Sequence, residues 1–198
     1  TSPVIYNFNP ATEGILSTGR PDNAEDSQWI PVETTRGDGW VNGEHLTEQM
    51  DAEAFLNDAR PAKLVKAFAE RLRQGRDISS LIASRGLMVA LTGSPTRVDP
   101  ERLAGLPQDL KTFGLPDVGA VSHDEEAFRV AVAEPFLSAF DATPNITPSA
   151  AHSKKALIPL EIWNFRYLAL NGENAQPWLV FFEYEGGKPR IVGLGIDE

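Results

Sequence analysis

Residues 178–196, WLVFFEYEGGKPRIVGLGI, read as two apolar strands, Trp178 to Tyr184 and Arg190 to Ile196, joined by Glu185-Gly186-Gly187-Lys188. Two adjacent glycines supply the positive φ that a tight hairpin requires, so the strands are expected to pair antiparallel. Upstream, residues 157–170 read as a further long strand. Helical patterns come before all three, and helices followed by consecutive antiparallel strands argue for an α+β domain with helices packed on an antiparallel sheet.

The first of those helices is expected over Pro61 to Gln74, where Leu64, Val65, Phe68 and Leu72 recur at helical spacing and Pro61 suits the first turn. Gly75 ends it. Asp77 can cap a short second helix carrying Ile78, Leu81 and Ile82, and the apolar run from Leu87 to Leu91 follows as a strand. Asp99-Pro100 marks another helix start. Ser122 and Glu125 form a capping box ahead of a long helix through Phe136 and Phe140, with Pro135 as a kink.

Residues 3–46 differ in kind. They are rich in Gly, Pro, Thr and Asn, and their apolar runs are too short for helices: Val4-Ile5-Tyr6, Gly14-Ile15-Leu16, Trp29-Ile30-Pro31-Val32 and Gly39-Trp40-Val41. Breaks at Gly19-Arg20-Pro21-Asp22-Asn23 and Arg36-Gly37-Asp38-Gly39 carry turn chemistry, so the segment reads as small strands. Thr47 to Asn57 is acidic and rich in helix formers, which suits an ordered connector.

Ser2-Pro3-Val4-Ile5, Trp29-Ile30-Pro31-Val32, Gly39-Trp40-Val41-Asn42 and Leu46 resemble, in order and spacing, the bacterial SH3-like domain pattern. The resemblance covers about a quarter of the chain. It implies a strand ahead of Ser2 that this sequence does not include, hence a barrel incomplete at its N-terminus. The expected organisation is mixed: an SH3-like barrel over 1–48, a linker over 49–59 and an α+β domain over 60–198. In element order alone, the second domain is similar to the nuclear transport factor 2-like fold.

Such SH3-like modules occur mostly in exported or envelope proteins, where they bind cell-wall peptides or pack against a neighbouring domain. The resemblance therefore implies an extracellular or cell-envelope location and a cell-wall peptide or envelope protein as partner. Trp29 and Trp40 can form a binding platform, since indole offers a large contact area at low entropic cost. In so small a barrel both also suit the core, Trp40 the more so. Arg36-Gly37-Asp38 spells an adhesive tripeptide but falls where a hairpin turn is wanted.

In the second domain, alternation places Glu161, Trp163, Phe165 and Tyr167 on one strand face, with Asn164 and Arg166 on the other. The neighbouring strand adds Trp178, Phe182 and Tyr184. Trp163, Arg166, Tyr167, Phe182 and Tyr184 are thus candidate ligand contacts on a concave sheet, with Glu183 a further polar anchor. The competing reading makes the aromatics core beneath the helices.

Chemistry-bearing motifs are few. The 198 residues carry a net charge of −10, which disfavours a phosphate backbone as partner, so no nucleic acid is expected. No apolar run approaches the roughly 20 residues of a membrane span. The absence of cysteine excludes disulfides, thiolate metal sites and thiol nucleophiles. His45, His123 and His152 lack ligand spacing, and Asp124-Glu125-Glu126 suits a helix first turn, so neither a metal nor a cofactor is expected. No Gly-x-Ser-x-Gly, phosphate loop or dinucleotide fingerprint is present, Gly193 and Gly195 lying in a terminal strand. No catalytic residue is assigned. The leading expectation is a noncatalytic binding protein; the rivals are a hydrolytic enzyme with its site on the C-terminal sheet, and a purely structural unit.

Overall fold

The computed structural model describes residues 14–24, 27–43, 46–48, 50–90, 96–98, 132–143, 146–149, 166–170 and 177–196. The fold is mixed α+β, and the chain divides into two compact units, Thr1–Gln49 and Met50–Glu198.

In the first unit, β3 (Ser27–Thr34) is the central strand. β4 (Gly37–Asn42) pairs antiparallel along its length, from Thr34 opposite Gly37 to Trp29 opposite Asn42. β1 (Leu16–Ser17) and β2 (Asp22–Ala24) also pair antiparallel with β3, at Val32-Glu33 and at Ser27 to Trp29 respectively. A strand has two edges, so β1 and β2 share the one that β4 leaves. The β3–β4 turn is tighter than the glycines at 37 and 39 suggest. Thr34 Oγ1 accepts from Arg36 N at 3.1 Å and donates to Gly37 O at 2.9 Å, so Thr35-Arg36 make the turn and Gly37, at φ 118°, already begins β4.

In the second unit, α1 (Ala52–Leu56) is capped by Asp51, whose carboxylate accepts from Glu53 N and Ala54 N at 2.9 and 3.1 Å. α2 (Arg60–Arg73) has Pro61 in its first turn and buries Val65, Phe68 and Ala69 at i, i+3, i+4 spacing. It ends where Gly75 turns to φ 60° and Arg76 N reaches back to Arg71 O at 2.9 Å. Asp77 serves a shorter element than expected, a single 3-10 turn over Ser79–Leu81, by accepting from Ser79 N at 2.7 Å. α3 (Glu134–Ala142) follows Val132-Ala133 in a wider helical turn. Pro135 stands in the first α-helical turn, just after that wider turn. The start expected at Asp99-Pro100 and the capping box at Ser122 lie outside the described residues.

Among the described residues, six strands form the sheet: β5 (Leu87–Ala90), β6 (Thr96–Val98), β7 (Thr147–Ser149), β8 (Arg166–Leu170), β9 (Trp178–Glu185) and β10 (Lys188–Ile196), in the order β6-β5-β10-β9-β8-β7. Gly186 and Gly187, at φ 56° and 71°, make the β9–β10 turn. One expectation is corrected: the sheet is not wholly antiparallel, because β10 pairs parallel with β5. A two-residue hairpin dictates antiparallel pairing for β9 and β10, but nothing local constrains strands about a hundred residues apart. Of the long strand expected over 157–170, β8 is the described part.

The main core lies between the three described helices and one sheet face. Phe136 packs edge-on to Phe68 and to Trp178, at centroid distances of 5.2 and 5.7 Å. The opposite face is also closed along β9, where Leu179 and Phe181 are buried with Ala83 and Val192. Of the connector expected over 49–59, residues 50–59 fall in this unit, where Phe55 is fully buried 6.1 Å from the Phe182 ring.

Candidate functional site

Alternation along β3 sends Ile30 and Val32 to one face of the first unit and Trp29, Pro31 and Glu33 to the other. Val32 is buried at 2% exposure, which marks its face as the inner one. On the outer face, the register places Trp40 opposite Pro31, Asp38 opposite Glu33, and Asp22 opposite Trp29. Leu16 adds a second neighbour to Glu33. Trp40 is 56% exposed and Leu16 61%, while Trp29 and Pro31 are half-buried. Trp40 is therefore not core, contrary to the preference stated for it above. The physical reason is parity: the two-residue turn puts Trp40 in step with Pro31, not with Ile30 or Val32.

Gly19 keeps this surface low. A Cβ there would lie 3.2 Å from Pro31 Cγ, so any side chain at 19 would crowd the proline. Thr18 N donates to Pro31 O at 2.9 Å, using the edge that β1 and β2 share. The result is an open patch of two indoles, a proline and a leucine, bordered by the exposed carboxylates of Asp22, Glu33 and Asp38. None of these three carboxylates forms an ion pair with a described residue.

The candidates in the second unit fare differently. Phe182 and Tyr184 are each 2% exposed in the helix-covered core, where a ligand could not reach them without the helices parting. Tyr167 is half-buried on the reverse face, 5.5 Å from the Phe181 ring. Tyr167 thus lies on the opposite side of the sheet from Phe182 and Tyr184, with which it was expected to converge, because β8 and β9 register Tyr167 with Phe181 and Arg166 with Phe182. Only the backbone of Arg166 is described. Trp163, Asn164 and Glu161 lie outside the described residues, as do His45, His123 and His152.

Glu183, expected as a polar anchor, is 4% exposed and held by Arg85, whose Nε and Nη2 donate to its two oxygens at 2.7 and 2.6 Å. Such a bidentate pair orients Glu183 as a structural group. Nearby, Ser84 N donates to Glu185 Oε1 at 2.6 Å, and Arg190 donates to Ser80 O. Tyr184 makes its polar contact near the β9–β10 turn, donating to Asp58 Oδ2 at 3.0 Å. Arg60 Nε donates to Asp58 at 2.9 and 3.0 Å, and its Nη1 donates to Gly187 O at 2.8 Å, tying the start of α2 to the β9–β10 turn.

Electrostatics follow from that geometry. Burial pushes the Asp58 carboxyl up, but hydrogen bonds from Arg60 and Tyr184 outweigh it and hold the group below the usual carboxylate range. Burial first, then the bond to Asp58, push the Tyr184 hydroxyl well above the usual tyrosine value. The arrangement suits a fixed corner, since neither group is brought toward neutral pH, where acid–base work is done. Among the described residues, no group of three or more His, Asp or Glu could hold a metal ion, and no helix is long and apolar enough to cross a membrane.

Leu16, Pro31 and the bordering carboxylates were missed as site residues. Alternation from Trp29 would have found Pro31 and Glu33, but Trp40 joins them only once the loop between the strands is known to hold two residues. Comparison with protein-family models, curated proteins and solved structures found no match.

Proposed function

We propose that this chain is a noncatalytic exported or cell-envelope protein whose N-terminal unit is an SH3-like recognition module for a cell-wall peptide or an envelope protein. The observation that carries this is the open face on which Trp29, Pro31, Trp40 and Leu16 stand together. Large exposed apolar side chains gathered on one face of a small unit mark an interaction surface more often than chance exposure does. The SH3-like reading is supported by adjacent pairing of the Trp29-Ile30-Pro31-Val32 and Gly39-Trp40-Val41 strands, the two segments that carry the resemblance.

The α+β unit serves in this proposal as the scaffold or partner-binding half, and we read it as similar to the nuclear transport factor 2-like fold. Support comes from the order of its described elements, with helices first, then two short strands, a helix and the final run of strands. Its described aromatic residues are largely spent on packing, which favours a protein partner over an enclosed small molecule.

The test is co-sedimentation of the full chain with insoluble bacterial cell-wall material, comparing wild type with Trp40→Ala and Trp29→Ala. Wild type should pellet and Trp40→Ala should stay largely in the supernatant, with unchanged circular dichroism, because Trp40 contributes little to packing. Equal pelleting of all three proteins would remove the aromatic face from recognition.

A further inference from the structure

The strand positions on the outer face of the first unit carry acidic side chains and no basic ones. Glu33 and Asp38 stand directly opposite each other across β3 and β4, and Asp22 stands opposite Trp29. Like charges at opposed positions on paired strands repel, so the Glu33/Asp38 pair weakens the hairpin that carries it. Neither residue meets a described cation that would offset the repulsion, and no Lys or Arg occupies this face of β1 to β4. The Trp40 ring lies one row along, flanked by Asp38 on its own strand and by Glu33 diagonally across.

We propose that this face binds an extended peptide bearing a side-chain amine, with the amine seated between Glu33 and Asp38 and an apolar residue on Pro31 and Trp40. This deepens the recognition reading above and rests on it. Two chemical features select such a ligand: an exposed indole attracts a cation to its face, and the opposed carboxylates lose their mutual repulsion when an ammonium lies between them. Spacing selects the extended form. Same-face rows on a strand recur at about 7 Å, and so do alternate side chains of an extended peptide, so residues i and i+2 of the ligand span the Trp40 and Glu33/Asp38 rows. A neutral peptide would leave the carboxylates unanswered, and an acidic one would be repelled.

The probes are acetyl-Leu-Ala-Lys-amide and the same peptide acetylated on the lysine Nε, titrated into the full chain and followed by tryptophan fluorescence and calorimetry. The free amine is expected to bind about tenfold more tightly than the acetylated form, as a cation–π contact plus a solvent-exposed ion pair allow. The double variant Glu33→Gln/Asp38→Asn should bind both peptides alike, and its melting temperature should be equal to or above that of wild type because a repulsion has been removed. Binding of the two peptides within twofold by wild type, or an undiminished amine preference in the double variant, overturns the proposal. If wild type pellets with cell wall but ignores both peptides, the amine proposal fails while the recognition reading stands. If it neither pellets nor binds, both fail.

Discussion

Phe55→Ala tests whether the segment ahead of α2 is a connector or part of the second unit's core. Phe55 is fully buried against Phe182 and sits in a short helix held by the Asp51 cap. An aromatic side chain buries roughly 150–250 Å², which at about 25 cal/mol per Å² corresponds to roughly 4–6 kcal/mol of gross transfer energy. Alanine retains part of this and a residual cavity adds to the loss, so the expected cost is about 4 kcal/mol, within the range of roughly 3–5 for such truncations. Urea unfolding, followed by circular dichroism, is the assay. With a slope of about 2 kcal/mol per molar urea, the midpoint of the second unit should fall by about 2 M, its slope unchanged. A shift below about 0.3 M, the size expected of a surface substitution, would refute the placement of Phe55 in the core and return 49–59 to the role of tether.

Two further outcomes follow from the polar contacts. Arg85→Met should cost about 3 kcal/mol or more by depriving buried Glu183 of its bidentate partner, and adding Glu183→Met should restore most of the loss; a double variant no better than the single would show that the ion pair is not what Arg85 contributes. The Asp58 and Tyr184 pair sets opposite pH limits. Asp58, with its folded pKa lowered, contributes stability that is present above the unfolded value of about 3.9 and lost as pH falls through the folded value. Tyr184, with its folded pKa raised, contributes stability that is complete below the unfolded value of about 10 and declines as pH rises beyond it. Unfolding free energies across pH should therefore decline less steeply in acid for Asp58→Asn and less steeply in alkali for Tyr184→Phe; limbs parallel to wild type would contradict the assignment.

Much of the local structure was legible because its causes are local. Pro61 and Gly75 bracket α2, Asp77 offers its carboxylate to a nearby backbone N–H, and Gly186-Gly187 permit the β9–β10 turn. Trp29 and Trp40 were recognisable as a pair of candidates from their strand patterns. Their shared outward face was not, since a one-residue change in the length of the connecting loop would reverse the side of every later residue. The expected turn at Arg36-Gly37-Asp38-Gly39 leaned on glycine, whereas the Thr34 hydroxyl closed the turn earlier.

The sequence alone determined the helix and strand periods, the hairpin at the C-terminus, the change of character near residue 49 and the poverty of catalytic motifs, all properties set by residues a few positions apart. Tertiary structure alone decided that β10 lies parallel to β5, that Tyr167 and Tyr184 face opposite sides of one sheet, that Phe55 belongs to a core and that Trp40 does not. Each of these depends on which distant strand or helix comes alongside, and neither hydrophobic periodicity nor turn chemistry encodes that choice within a single segment.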